Sequence, residues 1–145
     1  MKKRRYGREI ALKILYQQDI SGSPMDQIES KMYSEHTLTD GIKSFVHDIV
    51  EGTCQHMTEI DNLLSRLAIH WKINRMAVID RNILRMASYE IIYHPETPVK
   101  VIINEAVEIA KKYGDDKSYQ FINGVLDAAA REYRKETIET RMPVS

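Results

Sequence analysis

Met76-Ala77-Val78-Ile79-Asp80-Arg81-Asn82-Ile83-Leu84-Arg85-Met86-Ala87-Ser88-Tyr89-Glu90-Ile91-Ile92-Tyr93 is the stretch whose reading decides the fold. At 3.6 residues per turn, Val78, Ile79, Ile83, Leu84, Met86, Ala87, Ile91 and Ile92 leave this helix apolar nearly all round. Such a helix belongs at the centre of a bundle.

Outward toward the C-terminus, His94-Pro95-Glu96-Thr97-Pro98 reads as a linker. Pro98 suits the first turn of a helix, with Thr97 as its cap. That helix carries Val101, Ile102, Ala106, Ile109 and Ala110, and Gly114 is expected to supply a left-handed stop. A last helix from about Ser118 to Arg134 turns Ile122, Val125, Leu126 and Ala129 inward. Asn123-Gly124 sits inside this stripe, so Gly124 is expected to permit close helix approach. Outward toward the N-terminus, Thr39-Asp40 reads as the cap of a long helix bearing Ile42, Phe45, Val46, Ile49 and Val50. Gly52-Thr53 is expected to interrupt it, and the pattern resumes with Met57, Ile60, Leu63, Leu64, Leu67 and Ala68, ending near His70-Trp71. A shorter helix carries Met25, Ile28, Met32 and Tyr33. The first helix is expected from about Tyr6 to Ile20, closed by Ser21-Gly22-Ser23-Pro24. No segment alternates with strand period and no repeat recurs. The expectation is an all-α bundle of about seven helices in one domain, arranged as two packed sub-bundles of about 1–72 and 73–145.

Composition bounds the function. The 145 residues carry 43% hydrophobic and 29% charged side chains, which fits a globular domain. The single Cys54 precludes an internal disulfide and fits a reducing cytoplasm. No apolar run reaches the ~20 residues of a membrane span, and Met1-Lys2-Lys3-Arg4-Arg5 is not followed by the apolar core of a signal peptide. The formal net charge is +0, yet six cations (Lys2, Lys3, Arg4, Arg5, Arg8, Lys13) face one acid (Glu9) before residue 14. Nine acids face Lys31 and Lys43 between Asp19 and Asp61. One phosphate-attracting patch and one opposing face follow from that asymmetry, although a merely solvated basic tail has the same composition.

Catalysis has no positive signal. His36, His47, His56, His70 and His94 form no metal-ligand spacing, so neither a metal nor any other cofactor is expected. Glu105 and Glu108 share a helix face with Lys111 and Lys112 one turn on, which intrahelical ion pairing explains. No phosphate loop, dinucleotide fingerprint or nucleophile elbow occurs. What remains is a nucleic-acid surface. Arg5, Arg8, Leu12 and Tyr16 lie at spacings of three and four on the first helix, and a basic row with an aromatic suits single-stranded RNA. Tyr16 reads equally as a boundary core residue. The charged stretch Lys111 to Ser118, with Lys117 in it, is a second candidate, read as a loop. Phe121 follows at the edge of its helix's buried stripe, either as core or as a stacking platform.

Four blocks carry a family resemblance: Arg8 to Gln17 (REIALKILYQ), Asp80 to Glu90 (DRNILRMASYE), Pro98 to Gly114 (PVKVIINEAVEIAKKYG) and Ser118 to Asp127 (SYQFINGVLD). Together they resemble the NusB family of bacterial transcription antitermination factors. Residues 21–73 carry little of that pattern. The resemblance implies an all-helical, non-catalytic protein that binds the boxA element of ribosomal-RNA leader transcripts. It further implies NusE, a small-subunit ribosomal protein, as partner, and a larger complex with NusA, NusG and RNA polymerase. The family's basic N-terminus corresponds to Lys2, Lys3, Arg4, Arg5 and Arg8, and its terminal-helix aromatic to Phe121. Lys117 stands where the family often has an acid. Asp80 and Arg81 are the expected NusE-facing residues. A homodimer occluding the basic face stays open. So do two other readings: a helical protein-binding adaptor without RNA binding, and the detached RNA-binding domain of a ribosomal-RNA cytosine methyltransferase. The latter would need a large cofactor-binding domain downstream of Ser145, which this sequence does not contain.

Overall fold

The computed structural model describes residues 2–68 and 72–134. Among these, seven α-helices and one short 3-10 turn account for the regular structure, with no strand. They are α1 (Lys2–Ser21), α2 (Met25–Glu35), α3 (Asp40–Gln55), α4 (Met57–Leu67), α5 (Val78–Tyr93), α6 (Val99–Tyr113) and α7 (Ser118–Tyr133), with the 3-10 turn at Ile73–Arg75. The expected end of α4 near His70-Trp71 lies outside the described residues.

α5 is the hub that its sequence demands. It packs against α1, α3, α4, α6 and α7, and Ile83, Leu84, Met86 and Ile91 are at most 2% exposed. Burying such side chains contributes roughly 1.5–3 kcal/mol each before entropy is counted. α1 is nearly as central, with Ile10, Ala11, Leu12, Ile14 and Leu15 all buried. One connected apolar cluster runs from α1 through α5 into α6 and α7.

The caps and breaks sharpen the sequence reading. Thr39 Oγ1 accepts from the Ile42 amide at 3.2 Å, as its position predicts. Gly22 takes a φ of +70° at the end of α1, a left-handed conformation that glycine adopts without a Cβ clash. The α3–α4 break falls at His56, not at Gly52-Thr53. Gly52 is a packing notch instead: a Cβ there would lie 2.1 Å from the Tyr89 ring. Thr97 does not cap α6, since Pro98 occupies the cap position with no side-chain hydrogen bond. Gly114 is not left-handed either. Its φ is −90°, and glycine is needed because a Cβ would lie 2.8 Å from the Ala110 carbonyl and from Ser118 Oγ. Gly124 faces open space, so it serves no close approach.

Charges that are partly or wholly buried tie the helices together. Arg81 donates to Asp19 at 2.7 and 2.9 Å, linking α5 to α1. Arg85 bridges Asp19 and Asp61, at 3.0 and 2.8 Å. At the far end of α5, Arg134 donates to the carbonyls of Ile91, Thr97 and His94 at 2.8, 3.0 and 2.7 Å. A cation there satisfies carbonyls that helix geometry leaves without partners.

Candidate nucleic-acid interface

The basic N-terminus is helix rather than tail. α1 begins at Lys2, four residues earlier than the periodicity predicts, so the cations are spread around a rigid turn. Lys3 and Arg4 are exposed; the Lys2 side chain lies outside the described residues. Arg4 sits over the Phe45 ring of α3, 5.0 Å from its centroid, in cation–π range.

The face that Arg5, Arg8, Leu12 and Tyr16 were expected to offer is largely buried, and this corrects the sequence reading. Arg8 is 3% exposed. Its guanidinium donates to both carboxylate oxygens of Glu90, at 2.9 and 2.7 Å, and lies 3.8 Å from Glu105. Phe45 covers it, 5.2 Å from centroid to guanidinium. A fork so paired has no face left for a phosphate. Leu12 is 1% exposed and belongs to the core. Arg5 is half-exposed but held by Glu105, with Nη2 to Oε2 at 2.5 Å. Tyr16 is half-buried and lines a shallow hollow of about 400 Å³ between α1 and α2 with Ile20 and Ile28.

α6 runs beside α1 and contributes the other cations. Lys111 to Tyr113 form its last turn, not a loop. Glu9 of α1 accepts from Lys112 Nζ at 2.7 Å and from Tyr113 Oη at 2.6 Å. Burial alone would raise the Glu9 carboxyl, but these two donors hold it below the usual carboxylate range. Burial and the same carboxylate push the Tyr113 phenol up. The Lys112 ammonium also lies 5.3 Å from the Tyr113 centroid, and Lys111 lies 5.2 Å over Tyr119 of α7. Exposed lysines thus alternate with half-buried tyrosines along the α1–α6 seam and into α7. Lysine and tyrosine in one turn were visible in sequence; their pairing with Glu9, about a hundred residues away, was not.

The remaining expected residues divide. Lys117 is exposed at the start of α7. Phe121 is half-buried and packs against the core. Asp80, expected to face a protein partner, is buried: Ser118 Oγ faces Asp80 Oδ2 at 3.0 Å and Asp115 Oδ1 at 3.1 Å. Burial raises the Asp80 carboxyl, Ser118 opposes that rise, and Asp115 adds to it. Arg81 is occupied by Asp19. Both residues brace the fold, Asp80 toward α7 and Arg81 toward α1. Among the described residues no group of three or more His, Cys, Asp or Glu side chains suits a metal, and no helix is long and apolar enough to cross a membrane.

Comparison with known proteins fits this geometry. Residues 5–131 match the model of the NusB family. A transcription antitermination protein NusB of Desulfitobacterium hafniense is 42% identical over 135 residues, covering 92% of this chain and 91% of that protein. One from Koribacter versatilis is also 42% identical, covering 92% of each chain. Among solved structures, T. maritima NusB superposes with a TM-score of 0.86 at 37% identity, covering 94% of this chain and 96% of that one. A chain from a crystal structure of antitermination factors NusB and NusE in complex with dsRNA superposes with a TM-score of 0.84 at 27% identity, covering 92% of this chain and 99% of that one.

Proposed function

The chain belongs to the NusB family, and on that premise we propose that it is a transcription antitermination factor that binds RNA together with NusE. It acts by binding, and no bond is made or broken. The observation that carries the RNA reading is the exposed cationic start of α1, Lys3 and Arg4, on the same helix whose Glu9 holds the lysine–tyrosine turn of α6. Cations there neutralise phosphates and release counterions, while tyrosine rings offer stacking surfaces worth ~1–3 kcal/mol per base. Lys2 adds a cation in sequence, and Lys117 is an exposed cation at the start of α7. Phe121 and Tyr16, both half-buried aromatics, are the further candidates for stacking.

The family premise also supports the finer reading: boxA RNA of ribosomal-RNA leaders as ligand, a cytoplasmic setting, and onward assembly with NusA, NusG and RNA polymerase. A homodimer that covers the basic face is the natural resting form to look for. RNA binding measured against salt tests the proposal. A boxA oligonucleotide is expected to bind with a log–log salt slope of several units and to bind more tightly with NusE present. A slope near zero, or no binding at low salt, leaves only a protein-binding adaptor.

A further inference from the structure

The arginines at the start of α1 are held in two different ways. Arg8 donates its fork to Glu90 and Arg5 donates to Glu105, so each guanidinium meets a carboxylate that cancels its charge. Arg4 is held by a ring instead. Its guanidinium carbon lies 5.0 Å from the centroid of Phe45, and among the described residues no carboxylate pairs with it. The ring is firmly placed. Phe45 is half-buried and packs against the core, and the Arg8 guanidinium lies 5.2 Å from its centroid. Gly7 makes the room where α1 packs on α3: a Cβ there would lie 2.9 Å from Phe45 Cδ2 and 3.3 Å from Cε2. Lys3, exposed one residue before Arg4, has neither a ring nor a carboxylate among the described residues.

We propose that Phe45 is a positioning residue for RNA binding, holding Arg4 as a preformed fork for an RNA phosphate, with Gly7 as the notch that admits the ring. The two ways of holding an arginine differ in what they leave over. An ion pair takes up the donors of the fork and neutralises its charge. An aromatic ring attracts the cation through its quadrupole and takes none of the in-plane N–H donors. Arg4 is therefore restrained while its charge and its donors stay available to a phosphate, which a guanidinium meets with two parallel hydrogen bonds. A side chain restrained before binding loses less freedom when it binds. The inference rests on the RNA reading above and adds which cation is preorganised, what orients it and why that position calls for arginine.

The test measures binding of a boxA RNA oligonucleotide to the intact protein and its variants at fixed salt. Phe45→Leu is expected to weaken binding by about two- to fivefold, the scale of an exposed cation–π contact, and Phe45→Tyr to restore it. Arg4→Lys, at an exposed position that does not threaten the fold, is expected to lose a similar factor while keeping the salt slope, because the charge stays and the fork is gone. In an Arg4→Ala background Phe45→Leu should cost nothing further, whereas in a Lys3→Ala background the two losses should multiply. In the protein without RNA, NMR should show the Arg4 δ-methylene and Nε–H protons shifted upfield by the ring, and Phe45→Leu should abolish that shift. Wild-type affinity in Arg4→Lys, a Phe45→Leu loss that persists in the Arg4→Ala background, or no ring-induced shift at Arg4 overturns the proposal and leaves the RNA reading standing. Failure of the wild-type protein to bind the RNA at low salt overturns both.

Discussion

The α1–α6 face and the α3–α5 groove, lined by Asp48, Glu51, Tyr89 and Tyr93 among others, share ingredients but not charge balance. Each interleaves tyrosines with charged side chains, and each is held by hydrogen bonds between helices far apart in sequence. On the first, Glu9 fixes Lys112 and Tyr113 and the surplus is cationic. On the second, Asp48 and Glu59 fix Tyr89 and Tyr93, and the carboxylates that line it, Asp48 and Glu51, are paired with His94 and His47. A formal net charge of +0 conceals both. Global neutrality therefore says nothing about partners, whereas the local balance around aromatics separates a cationic face from a groove whose carboxylates are internally paired.

The largest effect expected from breaking this pair is at its buried anchor. Arg8→Ala leaves the buried Glu90 without its guanidinium partner, and removing one partner of a buried ion pair costs about 3–5 kcal/mol. Thermal denaturation should show a large loss, and a fall in RNA affinity without loss of stability would refute the structural assignment. Next comes the groove: Gly52→Ala forces the Tyr89 ring away from α3, an overpacking effect of about 1–3 kcal/mol. Lower stability with unchanged RNA affinity is the expected pattern. Replacing Lys3 and Arg4 together by Ala should leave melting within about 0.5 kcal/mol. The log–log salt slope for RNA should fall by roughly 0.7–0.9 per contact removed, and an unchanged slope would show that the cations are idle.

The smallest effect is on pH dependence. Glu29, aided by Glu51, holds the His47 imidazole above its ordinary value. Burial would lower His94, but Glu96 and Asp48 outweigh it and raise it. For a raised histidine the stabilisation is complete below the unfolded value of about 6.5 and is lost as pH climbs through the higher folded value. Both side chains are partly exposed, so a loss below about 1 kcal/mol is expected between pH 6.5 and 8.5. It should flatten in His94→Gln, and a midpoint that rises over that interval would contradict the pairing.

The helices were legible because core positions recur with the turn, as in α5, and because Thr39 and Pro98 punctuate the chain by local chemistry. The site was only partly legible. Arg5 and Arg8 look alike in sequence, the fourth and fifth cations of a basic N-terminus, yet one is half-exposed and the other sealed. What distinguishes them is Glu90 and Phe45, which arrive from other helices, and helical spacing carries no record of a partner 82 residues away. Gly52 and Gly114 misled for a related reason. A local reading treats glycine as a break or a left-handed turn, whereas here the missing Cβ accommodates Tyr89 and Ser118. Lys111-Lys112-Tyr113 read as loop because charge masks a helix end, although cations in a last turn favour one.

The Arg8–Glu90 pair also bears on the order in which the protein comes into being. α1 is synthesised first, yet its partners are Glu90 and Glu105, and the carbonyls that end α5 are closed by Arg134. At ~5–20 residues per second, a ribosome leaves α1 without its buried counter-charges for several seconds. The nascent helix must wait with its arginines solvated. A chain released after residue 85 is expected to show α1 amides exchanging with water far faster than in the full-length protein. The surface assigned to RNA is thus completed among the last parts of the molecule, so an unfinished chain does not present it in final form.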